Sequence, residues 1–208
     1  MAVVEIKNLE RAQKLLSGVK NGIERATSSA VNRSITTIKK DLKKEVIKNY
    51  VITSSEVEKT LSVKKANFKK PFGFINSKSE RLSLYKFFSS KKSDGTIFVK
   101  VKKKNGRKKV QGKENLLGKP FIARLKTGHT GIFQRSEKTS LKKIISKSGK
   151  EKEKEVPIIK DLKTVSIPQM LGTDSVQDYV NEKAPEILEK NLDKEIDRIL
   201  KGYYEKNI

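Results

Sequence analysis

Between Gly18 and Asn49 the apolar residues Val19, Ile23, Ala26, Ala30, Ile35, Ile38, Leu42 and Val46 recur at steps of three to five. That spacing predicts one helix over residues 18–49, with a single narrow buried stripe and a polar remainder dominated by lysine. At ~1.5 Å per residue the rod is about 48 Å long, more than a small domain needs. Part of it is therefore expected to pack outside its own domain. Everything downstream must be arranged around this helix and whatever covers it.

A second helical stripe closes the chain. From about Ser175, the residues Val176, Tyr179, Val180, Ile187, Leu188, Leu192, Ile196, Ile199 and Leu200 fall at helical spacing with acidic residues opposite. Pro185 is expected to start its longer section or to kink it. Between the two helices the text is strand-like. TSSEVEKTL (53–61) has capping-box spacing between Thr53 and Glu56 and predicts a short helix from Ser54. Phe68, Phe72 and Phe74 fit a strand interrupted at Pro71. SERLSLYKFF (79–88) is open between helix and strand. In TIFVKVKKKNGRKKVQG (96–112), alternating apolar and basic residues surround Asn105-Gly106, a two-residue hairpin signal. It predicts Ile97, Val99 and Val101 facing inward and Lys100, Lys102 and Lys104 facing out.

FIARLKTGHTGIFQR (121–135) predicts another strand pair, with Gly128 and Gly131 supplying the turn. The low-complexity run SKSGKEKEKE (146–155) predicts a flexible charged loop. Pro157 and Pro168 disfavour a long helix in the segment that follows it. The expected architecture is α+β: an antiparallel sheet with hairpins over residues 68–172, flanked by the N-terminal helix and a C-terminal helix over 175–205. The 208 residues are expected to form a single domain.

Charge and composition narrow the chemistry. The net charge is +24, with 40 Lys and 8 Arg, and residues 1–150 carry 38 basic against 11 acidic residues. Residues 151–208 reverse the balance, with 10 basic against 13 acidic. A polyanion is one reading of the basic part, with Lys100, Lys102, Lys103, Lys104, Arg107, Lys108 and Lys109 as candidate DNA or polyanion contacts. The scarcity of Arg argues against base readout, and no aromatic sits among these lysines to stack a base. The chain has no Cys and one His, which removes thiolate chemistry and multi-histidine metal sites. That histidine, His129, has no acidic residue within 115–136 to orient it, and reads as a turn residue. Glycine-rich phosphate loops are missing, no cofactor is implied, and no apolar run is long enough to span a bilayer. The N-terminus MAVVEIKNLERAQ lacks a signal-peptide core, so a soluble start in a bacterial cytoplasm is expected.

The order of segments carries more than any one of them. AVNRSITTIKKDLKKEV leads to VEKTLSVKKA, then LYKFFSSKKSDGTIFVKVKK, KPFIARLKTGHTGIFQRS and VPIIKDLKTVSIPQML, before the terminal helix. This succession resembles the phage and prophage minor tail protein Z family, the tail completion proteins of long-tailed phages. The likeness spans roughly residues 20 to 205 and rests on Phe121, Ile122, Ala123, Gly128, Gly131, Ile132, Phe133 and Arg135, then Pro157, Ile158, Leu162, Ser166, Pro168 and Met170. Two departures bear on local loop geometry: Lys163-Thr164 replaces the family's glycine-proline, and SLKKIISKSGKEKEKE lengthens the interval between the two central segments.

The resemblance implies a non-enzymatic virion protein at the head-proximal end, or neck, of a tail. It implies a hexameric ring that completes or terminates the tail tube and enables head-tail joining. Its implied partners are copies of itself, tube and sheath proteins, the head connector and, transiently, genomic DNA. Phe121, Phe133, Arg135, Ile187 and Leu192 are the expected subunit-interface residues. The competing reading is a basic protein that contacts DNA phosphates through its lysine-rich surfaces.

Overall fold

The computed structural model describes residues 9–145 and 151–204. The long helix starts four residues later than its periodicity predicts, because a tight corner precedes it. Helix α1 (Leu9–Leu16) ends in turns in which Val19 N donates to Leu16 O at 3.0 Å and Gly22 N to Val19 O at 2.9 Å. Asn21 sits at φ 53°, a left-handed conformation that Asn tolerates better than most residues. Helix α2 (Gly22–Asn49) then runs 28 residues, or about 42 Å. Glycine fits at its start because a Cβ there would stand 3.1 Å from the Cβ atoms of both Leu16 and Val19.

The predicted short helix is present as α3 (Ser54–Thr60), where Thr53 N donates to Glu56 Oε2 at 3.1 Å. Beyond it the phenylalanine-rich stretch is a hairpin and not one interrupted strand. Strands β1 (Leu61–Lys64) and β2 (Phe74–Ser77) pair antiparallel, and Pro71 lies in the loop between them. The undecided segment 79–88 contains both alternatives: β3 (Arg81–Ser83), a 3-10 turn at Leu84–Phe87, and the start of β4 (Phe88–Lys91).

Strands β5 (Ile97–Val99) and β6 (Lys108–Lys109) pair as Phe98↔Lys109 and Val99↔Lys108. The hairpin is therefore real, but its connection is wider than the two residues that Asn105-Gly106 suggests. The competing partner is Tyr50, which bridges to Lys102 while Val51 N donates to Val101 O at 2.9 Å, so the chain leaves the ladder before the turn. Ile97 and Val99 are buried and Val101 is half-buried.

Strands β7 (Leu117–Arg124), β8 (Thr130–Ile145) and β9 (Glu151–Asp161) form an antiparallel sheet in that order. Residues 151–155, expected in a flexible loop, are strand, held in register with β8 from Ile145↔Glu151 to Leu141↔Glu155. Residues 146–150 lie outside the described residues. Short β10 (Lys163–Ser166) pairs with β3, α4 (Ile167–Leu171) follows, and α5 (Asp174–Tyr204) runs 31 residues. Pro185 neither starts nor ends α5, which continues through it.

The chain divides into two compact units. One holds α1, α2, α3, the β1–β2 pair, α4 and α5; the other holds strands β3 to β10 with residues 49–51. In the helical unit the narrow stripe of α2 is covered by α1 and α5. Ala12, Leu16, Ala26, Ala30, Leu192, Ile196 and Ile199 form one core, and Val31, Ile35, Ala66 and Leu188 another. Polar contacts fix the register of the two long helices. Asn191 Nδ2 donates to Ser34 Oγ at 2.9 Å, and the Tyr179 hydroxyl donates to Asp41 Oδ2 at 3.0 Å. Burial, reinforced by Asp41, holds the Tyr179 hydroxyl above its ordinary pKa. Asn32 bonds both backbone groups of Ala66, at 2.8 and 3.0 Å, and so pins the β1–β2 hairpin to α2.

Candidate assembly surfaces

The FIARLKTGHTGIFQR segment forms the β7–β8 hairpin as expected, with pairs from Phe121↔Phe133 to Arg124↔Thr130. Gly128, at φ 86°, supplies the turn's left-handed residue, and Leu125 N donates to His129 O at 2.8 Å. Gly131 has a different reason to be glycine. It is already inside β8, and a Cβ there would lie 2.9 Å from both Asp161 Oδ1 and Phe133 Cζ.

His129 does have an acidic partner, supplied from 32 residues downstream. Its Nε2 lies 3.1 Å from Asp161 Oδ2, and the Ser83 hydroxyl donates to Asp161 Oδ1 at 3.0 Å. The pairing was invisible locally because β9 delivers Asp161 opposite Phe133 through strand register. Serine, aspartate and histidine thus meet, but the hydroxyl contacts the carboxylate, whereas nucleophilic activation requires a hydroxyl on the imidazole. With its ring perpendicular to that of Phe133 at a 6.0 Å centroid distance, the histidine is oriented as a clasp on the turn.

The three residues Phe133, Gln134 and Arg135 divide three tasks. Phe133 is 2% exposed and packs beside Phe121 with centroids 6.4 Å apart. The guanidinium of exposed Arg135 lies over the Phe121 ring at 4.8 Å, a cation–π contact. Gln134 is the residue whose role sequence reasoning missed. Buried at 1% exposure, it accepts from Lys113 N at 2.8 Å and donates to Gly118 O at 2.9 Å, tying down the loop before β7. Gly112 gives it room, since a Cβ there would come within 2.6 Å of Nε2. Gln134→Ala is expected to cost about 1–3 kcal/mol through unpaired buried groups. Hydrogen exchange should show this as faster exchange of the Lys113 amide.

The remaining candidates separate by exposure. Leu192, 1% exposed, belongs to the helical unit's own core, and Ile187 is half-buried on α5. Lys102, Lys103, Lys104, Arg107, Lys108 and Lys109 are all exposed and Lys100 is half-buried, so the β5–β6 hairpin displays six cations. The Lys102 ammonium lies 5.8 Å from the centre of the Tyr50 ring. Residues 80–166 hold 25 Lys and Arg against 8 Asp and Glu.

The helical unit has a second surface that the sequence did not reveal. A cleft of about 590 Å³ opens between α2, the β1–β2 loop and α5, lined among others by Ile35, Leu42, Phe72, Phe74, Val180 and Leu188. Phe72 and Phe74 are 59% and 47% exposed, and Phe68 in the same loop is 61% exposed. The available signal was three phenylalanines within seven residues around Pro71 and Gly73, amid lysines. No helix among the described residues is long and apolar enough to cross a membrane.

The family model described as prophage minor tail protein Z (GPZ) matches residues 6–206. The chain belongs to that family. It is accordingly a phage minor tail protein, a structural component of the virion tail. No curated protein and no solved structure matches it. Within this minor tail protein, the Phe121–Arg135 hairpin is a braced structural element in which Phe133 is buried and Arg135 is exposed.

Proposed function

We propose that this minor tail protein completes or terminates the tail tube at its head-proximal end, as a ring of six copies that prepares the tail for head joining. The observation that carries this reading is the family match over residues 6–206. Three surface features support it. The strand-rich unit holds 25 basic against 8 acidic residues, aromatic side chains line an open cleft, and Arg135 is exposed on the β7–β8 hairpin. Closed rings form through heterologous contacts, which require two different surfaces on each copy. Gold labelling of this subunit in isolated tails, viewed by electron microscopy, is expected to mark only the head-proximal end. Label along the tube or at the distal tip, or normal head joining by tails that lack the subunit, would remove the reading.

A second reading, contact with DNA phosphates, rests on the six exposed cations of the β5–β6 hairpin. It requires duplex binding that weakens steeply as salt rises.

A further inference from the structure

We propose that adjacent copies join through an electrostatic seam, in which the outer face of α5 on one copy docks on the β5–β6 hairpin of the next. This seam rests on the ring reading and specifies its contact. Along α5, seven carboxylates from Asp174 to Asp197 follow one another at steps of four, four, four, three, four and four residues. All seven are exposed. That periodicity gathers them on one side of the helix in a stripe about 35 Å long. Lys183 reaches Glu182 at 3.4 Å and Glu186 at 3.3 Å. Asp174, Asp178, Asp193 and Asp197 form no salt bridge among the described residues.

Like charges four residues apart destabilise a helix. The stripe therefore disfavours isolation. The hairpin has the opposite problem. Lys102, Lys103, Lys104, Arg107, Lys108 and Lys109 are crowded within eight residues, and no salt bridge among the described residues neutralises them. The nearest acidic residues in sequence are Asp94 and Glu114.

Two surfaces of opposite sign on one chain are necessarily present in equal number, so contact between copies can neutralise both. DNA would relieve the hairpin alone and leave the stripe without a counter-charge. A folded-back hairpin of ten residues, at ~3.3 Å per residue, reaches along about half of the stripe. The other half is left to further lysines of the same strand-rich unit, such as exposed Lys113 and Lys119.

The test uses two full-length chains. One carries Asp178→Lys, Asp193→Lys and Asp197→Lys; the other carries Lys103→Glu, Lys104→Glu and Lys108→Glu. All six sites are exposed, and circular dichroism checks that each chain is folded. Native mass spectrometry and sedimentation at low and high salt then follow assembly. The wild type is expected to assemble at low salt. Each altered chain alone should associate roughly tenfold more weakly or worse, since its changed surface then mixes both signs almost evenly and no longer complements the intact one. An equimolar mixture should restore assemblies that contain both chains, because each supplies the complement the other has lost.

The seam is overturned if either reversed chain assembles like the wild type, or if the mixture assembles no better than its parts. A wild type that stays monomeric at every salt concentration, and in isolated tails, removes the ring reading and the seam together. If reversing the hairpin abolishes duplex DNA binding yet leaves assembly intact, the seam falls and the hairpin belongs to DNA.

Discussion

Replacing both Arg33 and Arg198 with alanine is expected to destabilise the helical unit toward the lower end of about 3–5 kcal/mol, the cost of stranding a buried charge. The charge is Glu195, whose side chain is fully buried. Arg33 Nε lies 2.6 Å from Oε1, a contact that makes no hydrogen bond, while Arg198 Nε donates to Oε2 at 2.9 Å. Both arginines are more than half exposed, at 56% and 59%, so trimming them also lets water reach the carboxylate. That moderates the loss. Arg198→Ala alone should cost less than the double change, because Arg33 remains. Glu195→Gln should also cost less, because it removes the buried charge itself. Denaturant unfolding followed by helical circular dichroism checks the order, and a double change worth under about 1 kcal/mol would contradict the role given to this pair.

Phe133→Ala is expected to cost about 3–5 kcal/mol, as deletion of a buried aromatic side chain does. It is 2% exposed, packs beside Phe121 and perpendicular to the His129 ring, and stands next to Gly131. Arg135→Ala removes an exposed cation–π contact and should stay within about 1 kcal/mol. The pair of changes separates scaffold from surface. Phe133→Ala should lower the thermal midpoint of the strand-rich unit and impair assembly through that loss. Arg135→Ala should leave the midpoint nearly unchanged, so any defect it causes in tail assembly reports on a contact with another molecule. If Phe133→Ala left stability intact while abolishing assembly, Phe133 would be an interface residue after all.

These residues also mark where sequence reading succeeds. The two long helices, the cap at Thr53 and the hairpin at Gly128 follow from periodicity and local chemistry, which act within a few residues. The α+β class and the family were legible for the same reason, in the order of segments. Most of the failures involve partners far away in sequence. Asp161 reaches His129 through β9, Tyr50 takes Lys102 from the predicted tight turn, and Gln134 reaches back to a loop 21 residues earlier. Residues 151–155 look like a solvated loop by composition, yet they are strand because β8 offers a ladder for them. The aromatic cleft was hidden because no pattern within the β1–β2 loop says that its phenylalanines stay exposed.

The division of the chain has a consequence for the order of synthesis. The strand-rich unit is completed by Ser166, whereas the helical unit needs α5, which is made last. The Asn191 to Ser34 hydrogen bond joins residues 157 apart, and the core around Ala26 and Ala30 includes Leu192 and Ile196. On the ribosome, α2 therefore emerges early, with α1 and then the β1–β2 hairpin at hand, and the part of its stripe that α5 covers must wait until the strand-rich unit has been translated. Contacts this distant form slowly, and an apolar surface held open meanwhile invites association. The sparse stripe of α2, with alanines and serines where a conventional helix would carry leucine, leaves little apolar surface open during that wait.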